Sequence, residues 1–383
     1  MVSLRPIDPY PYDKLLPLRA LAERHSGGAI DLSVGTPCDA PPAAVVRALG
    51  EAQSLRGYPP SIGTVALRSA ATEWLSSYLG VVVEPSGVAA CVGTKEFVAS
   101  APGLLRVLMP ARDTVLYPAV SYPTYAMGAT LAGCRAVPVA LDSATGRLEL
   151  DSISAADRER ALCLWVNSPS NPTGRLDDLA AAARWGREHS VPVFSDECYV
   201  AFTWASEPRS ILQEGLDGVV ALHSLSKRSN LAGLRVGFFA GDPALVEPLR
   251  ELRKHAGLMV PGPAQHAAAV ALSDETHVDE QRLRYQHRLT TLASLLAPIG
   301  FDAALPDGGF YLWCEAPQGD AWAAVTRLAD DFGVLASPGE FYGPTSSGYV
   351  RFAVVAPDEA FSVLARRVDP VVSSVLARRV DPS

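Results

Sequence analysis

The stretch GVVALHSLSKRSNLAGLRVGF, residues 218–238, sets one lysine at the end of an apolar run. Residues 219–222 carry no polar alternation, the pattern of a strand covered on both faces. GVVALHSLSK is accordingly read as one strand and LRVGFFAG as the next. Lys227 follows Ser224 and Ser226, and Arg235 stands eight residues further on. Long cations beside a buried strand need a ligand or a counter-charge, because an isolated charge is expensive to desolvate.

Upstream the same pattern recurs. AACVG, DTVLYP, CRAVPVAL, ALCLWVNSP and VPVFSDE read as short apolar strands. KEFVASAPGLLRVLM, YPTYAMGATLAG and LDDLAAAARWGREHS alternate with them and have helical period. The expected fold is α/β, a large domain with a mainly parallel sheet flanked by helices, plus a smaller α+β domain. Such sheets bind ligands at the carboxyl ends of their strands. A helical stretch over residues 275–296 precedes IGFDAALPDGGFYLWCE and GYVRFAVV, which read as strands of the smaller domain. The expected division is residues 1–40 as an arm packing with the small domain, 41–275 as the large domain and 276–383 as the small one. SVLARRVDP occurs at residues 362–370 and again at 374–382. Proline closes each copy, so the first is expected to end the last helix and the second to be an appended duplicate.

Composition narrows the partners. The 383 residues are 48% hydrophobic and 19% charged, with a formal net charge of -8 and no basic tract. That argues against nucleic acid. No apolar run reaches membrane-spanning length, and MVSLRPIDPYPYDKLL lacks the apolar core of a signal peptide. A cytoplasmic protein working on small molecules is expected. The six cysteines show neither CxxC nor Cys/His spacing, so no metal site is expected. Cys198 and His223 read as packing residues.

Polar residues just past the strands form a chemical set. Lys227 could form a Schiff base with an aldehyde cofactor. Asp196, ending VPVFSD, could hold a pyridinium nitrogen protonated, which makes the ring a better electron sink. Asn171 and Tyr199 could donate hydrogen bonds to a ring oxygen, and Tyr122 could stack on the ring face. Gly93-Thr94-Lys95 opens a helix and offers amides to a phosphate, with Ser224, Ser226 and Arg235 adding hydroxyls and a cationic fork. Singly, each has a plainer reading as a surface charge, a turn or a cap. Their joint order after successive strands favours the chemical one.

NPTG, SDECY and SLSK with an arginine eight residues on resemble the fold-type I class I/II aminotransferases over about residues 32–351. The resemblance implies pyridoxal 5′-phosphate, with Lys227, Asp196 and Tyr199 as catalytic residues and a homodimer. It further implies that Tyr58, in a GY turn, reaches the phosphate of a neighbouring subunit. Arg351, helped by Gly35 and Asn171, would grip the substrate α-carboxylate.

The strings VGTKE, RKHAGLMVP and EFYGP are similar to actinobacterial N-succinyldiaminopimelate aminotransferases. The implied donor is L-glutamate and the implied acceptor N-succinyl-2-amino-6-oxopimelate, in lysine and diaminopimelate biosynthesis. The same cofactor set also serves aspartate, aromatic and N-acetylornithine aminotransferases and C–S lyases. An acceptor with distal carboxylates calls for a second basic group, and Arg253, Lys254, Arg19 and Lys14 are candidates.

Overall fold

A computed structural model describes residues 9–51 and 55–380, with the side chains of these up to residue 370. The chain divides into two compact units. One comprises Met1–Gly35, His287–Leu305 and Tyr311–Ser383, the other Thr36–Gln286 and Pro306–Phe310.

The first unit begins with α1 (Leu16–Ala22) and β1 (Ile30–Asp31). The chain then enters the second unit through α2 (Ala43–Leu49) and α3 (Val65–Leu79). There follow β2 (Val88–Cys91), α4 (Thr94–Leu108), β3 (Thr114–Pro118), α5 (Thr124–Leu131) and β4 (Arg135–Val139). Next come α6 (Ala155–Arg160), β5 (Ala161–Asn167), α7 (Leu179–His189), β6 (Val193–Asp196), β7 (Val219–Ser224), α8 (Leu225–Arg228) and β8 (Gly237–Gly241). Helices α9 (Pro243–His255) and α10 (Gly262–Leu272) lead to the long α11 (Thr276–Leu296). Back in the first unit are β9 (Tyr311–Glu315), α12 (Ala321–Phe332), β10 (Val334–Leu335), β11 (Ser337–Pro338), β12 (Tyr349–Ala353) and α13 (Asp358–Val380).

The second unit is built on a seven-stranded sheet in the order β2-β8-β7-β6-β5-β3-β4. β3 to β7 pair in parallel, while β8 runs antiparallel to both its neighbours. Both faces are covered, which is why the strands read as unbroken apolar runs. In β5, Leu164 and Val166 join a cluster with Trp74 and Trp185, whereas Leu162 and Trp165 join another with Phe97, Tyr125, Phe194 and Phe239. Each such fully buried side chain contributes about 1.5–3 kcal/mol. Local chemistry sets the helix ends: Thr64 caps α3 by accepting from Leu67 N at 3.2 Å, and Gly80 closes it in the left-handed region.

In the first unit, β1 pairs in parallel with β10, and β11-β12-β9 form a small antiparallel sheet. Among the described residues no helix is long and apolar enough to cross a membrane.

Several elements differ from the sequence reading. Strand β7 stops at Ser224, and Leu225–Arg228 is a helical turn. Ser224 Oγ accepts from Ser226 N at 3.1 Å, so the serine acts as an N-cap and ends the strand. In IGFDAALPDGGFYLWCE only Tyr311–Glu315 is strand, since the Pro and Gly residues before it break the ladder. Helix α13 runs through Pro370 instead of ending there, at the cost of one intrahelical donor and of crowding against the carbonyl of residue 366. The role expected for the second SVLARRVDP copy falls on side chains outside the described residues.

Candidate active site

The polar residues collect at strand ends because the ladder puts them there. Asn167, the last residue of β5, is in register with Asp196, the last of β6. Ser224 of β7 and Cys91 of β2 both align with Gly237 of β8. A Cβ at Gly237 would lie 2.7 Å from His223 O, so only glycine lets β8 close between them. This row gathers the β2–α4 turn, Ser224 and the approach to β8 that carries Arg235.

Asp196 is 5% exposed. Its Oδ2 accepts from Tyr125 Oη at 3.0 Å and its Oδ1 from Cys198 N at 3.3 Å. Burial pushes its pKa up, and the hydrogen bonds from Cys198 and Tyr125 and the charge of Lys227 offset only part of that. Asn167 Nδ2 donates to Asp196 O at 2.8 Å, while its Oδ1 accepts from Asn171 N at 2.8 Å. One amide thus ties the NSPSNPTG turn to the strand that presents the carboxylate.

Lys227 lies in α8, half-buried, with Nζ 5.8 Å from the centre of the Phe310 ring. Tyr199 is buried and meets Phe310 edge-on at 5.2 Å. Tyr122 is half-buried and meets Tyr125 edge-on at 6.1 Å. Tyr125 in turn stacks on Trp165 at 5.4 Å.

Gly93 has φ 76° and stands as N-cap of the fifteen-residue α4. Arg235 Nη1 donates to Ala232 O at 2.9 Å, and Nη2 lies 3.5 Å from Val92 O. A Cβ on Gly93 would fall 2.9 Å from Arg235 Cζ, so the guanidinium rests on bare backbone. Thr94 begins the helix half-buried, Lys95 is exposed, and Ser224 and Ser226 are buried. Tyr58 exposes 94% of its surface and is not gathered with these residues within one chain.

Gly35 and Arg351 belong to the first unit. Arg351 is 1% exposed, its guanidinium 4.1 Å from the Tyr311 ring centre and 4.8 Å from that of Tyr342. Its Nη2 donates to Ser33 O at 2.5 Å. A Cβ at Gly35 would lie 2.8 Å from Tyr311 Cζ, so glycine is required beside that ring.

Three of the four candidates for a second basic group have carboxylate partners within the chain. Arg253 is 1% exposed and forks onto both oxygens of Glu96, at 2.8 and 2.7 Å. Its fork is taken up by that carboxylate. Arg19 pairs with Asp31, and Lys14 with Glu340 at 3.2 Å. Lys254 is exposed on α9. His223 and Cys198 lie buried or half-buried against their neighbours, as expected of packing residues.

Tyr125, Asn167 and Phe310 were not signalled by the sequence. Tyr125 follows Tyr122 by three residues, and only the fold shows which tyrosine meets the carboxylate. The arrangement fits a phosphorylated pyridine aldehyde: a lysine amine, a carboxylate buried at a strand end, and a glycine turn opening a helix beneath an arginine fork.

The family model for aminotransferase class I and II matches residues 28–368. The chain is 43% identical over 374 residues to the 4-dedimethylamino-4-oxo-anhydrotetracycline transaminase OxyQ of Streptomyces rimosus, covering 95% of this chain and 100% of that one. It is 33% identical to an LL-diaminopimelate aminotransferase of Aquifex aeolicus, covering 88% and 90%. A solved structure of a probable N-succinyldiaminopimelate aminotransferase from Thermus thermophilus superposes with a TM-score of 0.83, at 29% identity, covering 94% and 99%. A match across most of the chain, with a relative at 43% identity over nearly all of it, makes this protein a member of the class I and II aminotransferases, and so a transaminase that works with pyridoxal phosphate.

Proposed function

We propose that this transaminase takes the amino group of L-glutamate and delivers it to N-succinyl-2-amino-6-oxopimelate, a step toward diaminopimelate and lysine. Arg351 carries the reading of an amino-acid substrate. A buried guanidinium between two tyrosine rings is a receptor for a carboxylate, which its planar fork matches. Gly35 and Asn171 assist it. Support for the acceptor comes from the relatives whose names refer to diaminopimelate or its succinylated form.

Pyridoxal phosphate, when bound, supplies an electron sink that makes the substrate Cα–H acidic. The chain's residues do the rest. Lys227 Nζ takes the Cα proton as general base and returns it as general acid. Asp196 would keep a proton on the ring nitrogen. Asn171 and Tyr199 would donate to the ring oxygen, and Tyr122 would cover the ring face. Gly93, Thr94, Lys95, Ser224, Ser226 and Arg235 would hold the phosphate, joined by Tyr58 from a second copy of the chain in a homodimer.

A second reading has its own support. The relative at 43% identity is named for a 4-oxo-anhydrotetracycline, so a polycyclic ketone is the rival acceptor. The test is a half-reaction. Glutamate is added to the loaded enzyme and the loss of the cofactor's visible absorbance is followed. Separate acceptors are then supplied. Recovery with the succinylated keto acid supports the proposal. Recovery only with a polycyclic ketone, or only with aromatic or simple keto acids, reassigns the acceptor. Release of pyruvate and ammonia from cysteine conjugates would mark a lyase.

A further inference from the structure

The turn between β2 and α4 is held from two directions. Val92 N donates to Glu96 Oε2 at 3.0 Å, and Val92 O faces Arg235 Nη2 at 3.5 Å. Glu96 sits in the first turn of α4, where a carboxylate suits the positive end of the helix dipole. Its Oε1 also accepts from Ser100 Oγ at 2.8 Å. That carboxylate lies only three residues from Gly93, the backbone assigned above to the cofactor phosphate. A bare negative charge there would repel a phosphate dianion, and more so as water is excluded.

Arg253 arrives from α9, 157 residues away in the chain, and binds both Glu96 oxygens. Its own guanidinium lies 5.4 Å from the Phe97 ring centre and 5.8 Å from that of Phe239. The aromatic walls bury the guanidinium and hold the fork in one orientation, while the Glu96 side chain keeps 20% of its surface exposed. Such a pair is weak evidence for stability, since an apolar pair of the same shape often serves as well.

We propose that Arg253 is a positioning residue for cofactor binding: it cancels the charge of Glu96, so that this carboxylate can pin the Val92–Gly93 turn without repelling the phosphate. This rests on the phosphate site proposed above. Both ends of the Arg253 fork are on Glu96, so it acts through that carboxylate. It gives the RKHAGLMVP string a task other than the substrate contact expected from sequence.

The experiment measures dissociation constants of pyridoxal phosphate and of phosphate-free pyridoxal by absorbance titration of the full chain. Wild-type and Lys227→Ala proteins come first. If Lys227→Ala leaves the wild-type cofactor spectrum unchanged, the site assignment itself fails. If the spectrum changes as expected, the variants decide the present point. Arg253→Met should weaken pyridoxal phosphate binding about tenfold or more, and pyridoxal binding less than about twofold, because the uncompensated carboxylate acts on the phosphate alone. Arg253→Met with Glu96→Gln keeps an acceptor for Val92 N and removes the charge, so affinity should return to within about threefold of wild type. Equal weakening of both ligands, no weakening of either, or no recovery in the double variant would overturn the proposal. If Arg253→Met does not fold, the double variant decides alone: affinity within about threefold of wild type supports the proposal and a larger loss overturns it.

Discussion

Tyr125 Oη donates to Asp196 Oδ2 at 3.0 Å, and the same tyrosine ring stacks on Trp165 at 5.4 Å. One side chain therefore orients the carboxylate at the end of β6 while being held by the core beneath it. Tyr125→Phe keeps the stacked ring and removes only the hydrogen bond. A hydrogen bond to an ionised carboxylate lowers its pKa, so its loss should raise that of Asp196 further. Activity at neutral pH should fall about tenfold, with the acid limb of kcat/KM moving to higher pH. An unchanged rate and an unchanged profile would remove Tyr125 from the site.

Lys227→Ala removes the amine that moves the proton. Turnover should fall by more than about a thousandfold, at the upper end of what a general acid–base supplies. Borohydride reduction should no longer fix the cofactor to the protein, and circular dichroism should be unaltered. Activity near wild type in a purified variant would refute the assignment.

Gly93 has a left-handed backbone, φ 76°, and its missing Cβ leaves room for Arg235. Gly93→Ala costs roughly 1–3 kcal/mol of backbone strain and displaces the guanidinium. The expected result is weaker cofactor retention on dialysis with a small change in the apoprotein's Tm. Full retention would show that Arg235 does not depend on this turn.

Glu197 and His223 face each other at 3.5 Å, Oε2 to Nε2, both buried beside Trp74 and Phe238. Burial pushes Glu197 up to about 7. Burial, then the nearby charge of Arg228, pushes His223 down to about 3. At mildly acid pH the pair is a neutral acid beside a neutral imidazole, not an ion pair. The raised Glu197 contributes stability that is lost as pH rises from the unfolded carboxylate value through about 7. His223, depressed, contributes stability that is lost as pH falls from its unfolded value toward 3. Glu197→Gln should therefore gain on wild type between pH 5 and 8, by on the order of 3 kcal/mol. Denaturant titrations at both pH values check this. A stability difference that does not change with pH would mean that Glu197 is already ionised at pH 5.

The chain alone made legible whatever is decided by neighbours in sequence. Unbroken apolar runs such as ALCLWVN announce a sheet covered on both faces, and punctuation such as Asn171, Asp196 and Lys227 marks where that sheet meets a ligand. These features were readable because strand period, turn chemistry and helix starts are local. Boundaries set by competition were not: Ser224 ended β7 by capping the next turn, where the apolar pattern would have carried the strand on to Lys227.

Contacts between distant segments lay further out of reach. Nothing in YPTYAMGATLAG distinguishes Tyr122 from Tyr125, and only the packing of α5 against α4, β3 and β4 decides which hydroxyl meets Asp196. Arg253 read as a basic group seeking an anion, which it is; that its anion is Glu96, across 157 residues, follows from α9 lying against α4. Charge and periodicity tell what a side chain needs. The tertiary structure decides which partner satisfies it, because a buried charge settles on whichever counter-charge the fold brings within hydrogen-bond distance.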